Sequence, residues 1–284
     1  MQVNTTPALV GKGLDFAEGV NFDQSGALYC VDVTDPHGSI WRMQPGQDLQ
    51  PWARTGGHPN GSRFGPNGDL FVADCGRCQI LRIAPASSAI TVYADNCQGR
   101  AFQGPNDLCF GPDGALYFTD PANSSLTNRI GAVYVLPPGG EVALFATGLA
   151  FPNGLMVTPD GHTLVVGETF TGVLHRFSLA PEDKYRELPP LATLDPHDQG
   201  EHEAGPDGMA YGADDNLYVA HYNGGVVQVV APDGALVASL TSGGQHPTNV
   251  AFWQDSLYVT EGKGGAVYRL DIGVREQPPF MRPW

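Results

Sequence analysis

The chain is expected to fold as one six-bladed β-propeller, all-β, with four short strands per blade. Three observations lead there: one pattern recurs six times, each copy carries a hairpin signature, and no segment has a helical apolar period. The six copies run Glu18–Asp32, Asn60–Asp74, Asn106–Asp120, Asn153–Glu168, Asp207–His221 and Thr248–Glu261. Their starts lie 42, 46, 47, 54 and 41 residues apart, a spacing that suits four strands per unit.

In each copy a short apolar run meets a turn such as Pro112-Asp113-Gly114. An alternating run such as Leu116-Tyr117-Phe118-Thr119 follows. A third strand comes next, as in Ser39–Met43, Gln79–Ile83 or Val226–Val230, and a weaker fourth one completes most units. Blade six runs out of chain soon after Leu270, while Pro7–Lys12 has no blade of its own. Pairing the two segments closes the ring and covers a strand edge that otherwise stays open. The domain is therefore expected to span 1–284 as a single unit.

Composition narrows the function classes. The 284 residues carry a net charge of −15 and only 15 Lys and Arg, which disfavours nucleic acid or an anionic membrane as partner. No run of about 18 apolar residues is present. The start, MQVNTTPALVGKG, lacks the basic and apolar regions of a signal peptide, so a cytoplasmic protein is expected. The five Cys are expected to be reduced, and Cys75-Gly-Arg-Cys78 is expected to be structural, because no second such pair completes a zinc site.

The hairpin brings the first and last residue of each unit to the same end of its blade. The first strand of a propeller blade is innermost. Two polar rings should therefore surround one mouth of the channel. Glu18, Asn60, Asn106, Asn153, Asp207 and Thr248 form the inner ring. Asp32, Asp74, Asp120, Glu168, His221 and Glu261 form the outer one. Asn-Gly pairs also suit simple turns, which would explain Asn60-Gly61 and Asn153-Gly154 but not Glu18. Glu18, Asn106, Asn153 and Asp207 offer hard oxygen donors suited to Ca²⁺, Mg²⁺ or Mn²⁺.

These segments resemble the gluconolactonase and senescence-marker-protein (regucalcin) family of sugar lactonases. The phrases that carry the likeness are Glu18-Gly19, Gly104-Pro105-Asn106-Asp107, Phe151-Pro152-Asn153-Gly154, Gly205-Pro206-Asp207-Gly208 and Thr248–Phe252, with the ending Leu257–Val274. The likeness covers about residues 14–274. It implies one catalytic divalent cation (Ca, Mg, Mn, Zn or Fe(II)) held by Glu18, Asn153 and Asp207. Asn106 is then a fourth ligand or a substrate contact, and Arg100 a further substrate contact. Asp120 and His221 of the outer ring are candidates for binding sugar hydroxyls. His197, His202 and Glu203 precede Asp207 in a segment read as a solvated loop.

The expected activity is a metal-dependent hydrolase, a gluconolactonase-like lactonase of carbohydrate metabolism that opens sugar lactones. Asp207 serves as general base because it reaches both metal and water. No GxSxG elbow is present, which disfavours a serine esterase. Two alternatives stand beside this reading: another metal-dependent hydrolase, acting on phosphotriesters or aromatic lactones, and a non-catalytic binding propeller. The partner expected is a small lactone; the sequence does not fix the oligomeric state.

Overall fold

In the computed structural model, which describes residues 6–183, 185–194 and 204–277, each repeat folds as a four-stranded antiparallel sheet. The six sheets form the ring of a six-bladed propeller, and the described residues contain no α-helix. The innermost strands are Ala17–Phe22, Pro59–Phe64, Leu108–Phe110, Pro152–Val157, Gly205–Tyr211 and Pro247–Trp253. Ala8–Lys12 pairs antiparallel with Ala266–Asp271 and supplies the fourth strand of the last blade, the closure expected from the sequence. Two small additions were not foreseen: a hairpin of Asn96–Cys97 with Arg100–Ala101, and a 3₁₀ turn at Pro181–Asp183.

The second strand of each blade lies between other strands and between neighbouring blades. Leu28–Asp32, Leu70–Asp74 and Leu116–Asp120 are accordingly buried along their whole length. That double burial is why these segments read as near-continuous apolar runs. The outermost strands, such as Ala89–Ala94, are largely exposed.

The apolar side chains do not form one central core. They form six clusters, each filling the space between two adjacent blades. The cluster of Tyr29, Val31, Ile40, Val72 and Leu81 joins blades one and two; Leu14, Val20, Leu28, Ala251 and Val267 join blades one and six. Polar groups gather on the channel axis at the mouth that holds Glu18 and Asp207.

Hydroxyls tie the blades together at the axis. Thr119 Oγ1 donates to the Asn153 carbonyl at 2.8 Å, Thr169 Oγ1 to Pro206 at 2.8 Å, and Thr248 Oγ1 to Ala17 at 2.8 Å. Ser62 Oγ donates to Gly19 at 2.6 Å. Each such bond crosses from one blade to its neighbour and satisfies a buried carbonyl that the bulged inner strand leaves free.

No helix of the described residues is long and apolar enough to cross a membrane. All five cysteines are free thiols. Burial pushes the Cys75 thiol up to about 11 and raises Cys78 as well, so neither is a reactive thiolate at neutral pH.

Candidate active site

Five of the six inner-ring residues converge. Glu18, Asn60, Asn106, Asn153 and Asp207 line one cavity of 160 Å³ at the channel mouth. Thr248, the sixth, is instead spent on its bonds to Ala17 and Thr260.

The backbone explains the convergence. The inner strands of blades one, two, four, five and six break register at the mouth, between Glu18 and Asn21, Pro59 and Ser62, Pro152 and Leu155, Pro206 and Met209, and Pro247 and Asn249. These are β-bulges, which re-aim side chains at the ends of strands. Asn60-Gly61 and Asn153-Gly154 therefore lie inside strands, and the turn reading of these pairs is corrected. Their glycines are needed because neighbouring inner strands approach closely. A Cβ on Gly154 would run into the Asp207 carbonyl, and one on Gly19, which has φ +57°, into that of Asn60.

Glu18, Asp107 and Asp207 are buried together. Burial, then the charge of Asp107, pushes the Glu18 carboxyl up to about 8. Burial followed by the charges of Glu18 and Asp107 raises Asp207 well above the ordinary carboxylate range. Burial lifts Asp107 to about 6, with Arg63 opposing. Buried carboxylates whose charges disfavour the ionised forms of Glu18 and Asp207 call for a compensating positive charge.

The donor set fits a cation. Asn106 Oδ1 is buried without a hydrogen-bond partner among the described residues, and it faces the same cavity. Asn153 Nδ2 donates to Thr169 Oγ1 at 3.2 Å, which fixes which end of that amide is the oxygen available to a ligand. Glu18 is held by the Gly19 amide at 2.5 Å and by Asn249 Nδ2 at 3.2 Å. Asn249 Nδ2 also reaches Asp107 at 3.4 Å. Among the described residues no three His, Cys, Asp or Glu form a metal-binding group. A cation here would accordingly rest on two carboxylates with amide oxygens, a hard-donor set.

Asp107, Asn249 and Thr169 escaped the sequence reading as members of the site. So did an aromatic rim of Phe16, Phe151, Phe170 and Tyr222. Phe151 and Phe170 stand 5.1 Å apart, and Phe151 takes φ +61°, a strained conformation for a bulky residue that places its ring over the mouth. A signal was present. Phe16 and Phe151 sit two residues before Glu18 and Asn153, and Phe170 and Tyr222 just follow the outer-ring residues Glu168 and His221.

The outer ring does other work. Asp32 accepts from the amides of Asp15 and Phe16, Asp74 from His58 and Arg77, Asp120 from Gln103 and Ala122, and Glu261 from His246 and Gly264. Each carboxylate caps the loop that leads into the inner strand of its own blade. Asp120 thus has its oxygens committed to backbone, and His221 is fully buried beneath Gly224; neither lines the cavity. Arg100 lies on the exposed hairpin, also outside the lining. His197, His202 and Glu203 fall outside the described residues.

Glu168 departs from the pattern. Arg129 Nη1 stands 2.9 Å from its Oε1, and His175 Nε2 lies 3.1 Å from its Oε2. His175 Nδ1 in turn lies 3.1 Å from Glu187. The two carboxylates, through hydrogen bonds, raise the His175 value despite its burial. The folded chain thus holds this proton more tightly than the unfolded one. The resulting stability is full below about pH 6.5 and is lost as the pH rises through the higher folded value. His175→Gln is expected to lower Tm by a few degrees at about pH 6, the deficit shrinking by about pH 9. Paired thermal melts of the two proteins across that range check this.

Residues 16–263 match the model of the SMP-30/gluconolactonase/LRE-like region. The chain belongs to this family. It is 29% identical over 283 residues to a gluconolactonase of Zymomonas mobilis, covering 89% of this chain and 77% of that one. It is also 29% identical over 286 residues to the diisopropyl-fluorophosphatase of Loligo vulgaris, covering 90% and 88%. Among solved structures, a gluconolactonase from Xanthomonas campestris superposes with a TM-score of 0.81 at 21% identity, covering 96% of this chain and 90% of that one. The matched segment contains Glu18, Asn106, Asn153, Asp207 and Thr248, the inner-ring residues on which the resemblance rested.

Proposed function

We propose that this family member is a divalent-cation-dependent lactonase that opens sugar lactones, with Asp207 as the general base. The observation that carries the reading is the buried, mutually repelling pair Glu18 and Asp207 beside the unpartnered Asn106 oxygen, all in one aromatic-rimmed cavity. Glu18, Asn153 and Asp207 would hold the cation, with Asn106 as a fourth ligand or a contact to the substrate. A cation bound there would supply Lewis-acid polarisation of the lactone carbonyl.

The chain's own groups do the rest. Water adds to the carbonyl carbon as the Asp207 carboxylate takes its proton, the ring C–O bond breaks, and the proton passes to the leaving alkoxide to give the open hydroxy acid. Asn249 and Gly19 hold the Glu18 carboxylate in place. Phe16, Phe151, Phe170 and Tyr222 limit water at the mouth and offer flat faces to a ring substrate.

A phosphotriester substrate is the second reading, favoured by the relation to the Loligo enzyme. One experiment separates the two. The purified protein is treated with chelator, and hydrolysis of a panel of aldonolactones and of an organophosphate is followed before and after individual divalent metals are restored. The expected result is loss of aldonolactone turnover on chelation, recovery with a single type of divalent ion, and weaker turnover of the organophosphate. Full turnover in chelator would overturn the metal dependence, and preference for the organophosphate would overturn the substrate class.

A further inference from the structure

The channel has a second mouth. It lies at the far ends of the inner strands, about 13 Å along blade one from Glu18 at the usual rise per residue. There all six blades contribute to a cavity of 340 Å³, twice the volume of the candidate active site and within the range of small-molecule sites. Its walls are aromatic: Phe22, Phe64, Phe110, Tyr211 and Trp253 line it. They are also preformed. Phe22 stacks on Trp253 at 5.3 Å, Phe64 packs edge-on against Tyr29 at 5.1 Å, and Phe110 packs against Phe71 at 5.2 Å.

Among the described residues one cation faces this space. Arg63 lines the cavity, and its Nε is buried without a hydrogen-bond partner among the described residues. An unpaired buried donor on a charged group carries a cost that a ligand's acceptor would remove. The charge of Arg63 is felt by Asp107 and by Glu276, but no carboxylate of the described residues forms an ion pair with it or bonds its Nε. Asp23 is committed to Ser25, Ala27 and Tyr29, at 2.9, 3.0 and 3.2 Å. Glu276, also in the lining, is fixed through its backbone, its amide donating to the Gln254 carbonyl at 3.3 Å. Neither forms an ion pair with Arg63 among the described residues.

We infer that this far mouth is a second ligand site, taking a small planar aromatic carboxylate, with its ring among the aromatic walls and its carboxylate on Arg63. The walls fix the ring chemistry, and Arg63, with its unpartnered Nε, fixes the charge. The site is separate from the lactonase reading and does not depend on it.

The test is calorimetric titration of the full chain with 2-naphthoate and with its neutral counterpart, 2-naphthamide. Binding of the acid is expected with Kd at or below about 1 mM, and binding of the amide at least about tenfold weaker. Arg63→Gln should weaken the acid at least about tenfold, and Arg63→Lys, which keeps the charge, should weaken it less. Asp207→Asn should leave it unchanged, which places the ligand at the far mouth. The proposal is overturned if the acid fails to bind at about 1 mM, or if acid and amide bind equally. It is overturned as well if Asp207→Asn abolishes binding while Arg63→Gln does not. Binding that appears only after removal of residues 278–284 would assign the cavity to the chain's own last segment, and would also overturn it.

Discussion

Asp207→Asn is expected to keep most of its bound metal and to lose about 10²–10⁴-fold in kcat. The amide preserves the shape and one donor oxygen of the side chain but accepts no proton. The repulsion that Asp207 shares with Glu18 and Asp107 also falls when one of the three charges is removed. Glu18→Gln should behave differently. Glu18 is held by Gly19 and Asn249 and has no proposed role in proton transfer, so its amide should weaken metal binding at least as severely as turnover. Bound metal and kcat, both measured at saturating metal, separate the roles. Equal losses of turnover in two fully metallated variants would remove the distinction between base and ligand.

Deleting residues 1–12 is expected to destabilise the whole ring by at least about 3 kcal/mol, or roughly 5–10 °C in Tm. The deletion strips the partner of Ala266–Asp271 and leaves that edge open. It also removes Val10, which packs against the cluster that joins blades one and six. The backbone bonds from Gly13 and Leu14 to Gly265 lie just beyond the cut and are weakened with it. An unchanged melting temperature after the deletion would show that the ring does not depend on this closure.

Much of this was legible in the sequence because a propeller repeats its instructions. The apolar run, the Pro-Asp-Gly turn and the alternating strand recur closely enough to number the blades, and the unpaired segment at the start supplied the missing strand. Glu18, Asn106, Asn153 and Asp207 could be aligned as first residues of their units, and they meet at the mouth. What stayed hidden follows from local backbone shape. Alternation puts neighbouring strand residues on opposite faces, so a reading by period two assigns one residue per blade to the axis. The bulge of blade six breaks that rule, and so does the irregular segment before the inner strand of blade three. Asn249 follows Thr248 yet reaches Glu18, and Asp107 follows Asn106, just before the regular strand Leu108–Phe110, yet stands in the same carboxylate group. The bonding of the outer ring was hidden for another reason. Its positions at the strand ends were inferred correctly, but position does not reveal that backbone amides already occupy Asp32, Asp74, Asp120 and Glu261.

The six apolar clusters lie between blades, and none of their members lines the cavity that holds Glu18 and Asp207. That separation bears on how such a protein can change its chemistry over generations. In most enzymes a substitution near the reacting groups also disturbs packing, and activity is gained against stability. Here Phe16, Phe151, Phe170 and Tyr222 stand outside every cluster, although they form the rim a substrate meets first. They can be exchanged while the six cores keep their contacts. A lineage carrying this scaffold can therefore explore new substrates through its rim with the inner ring and the blades left intact.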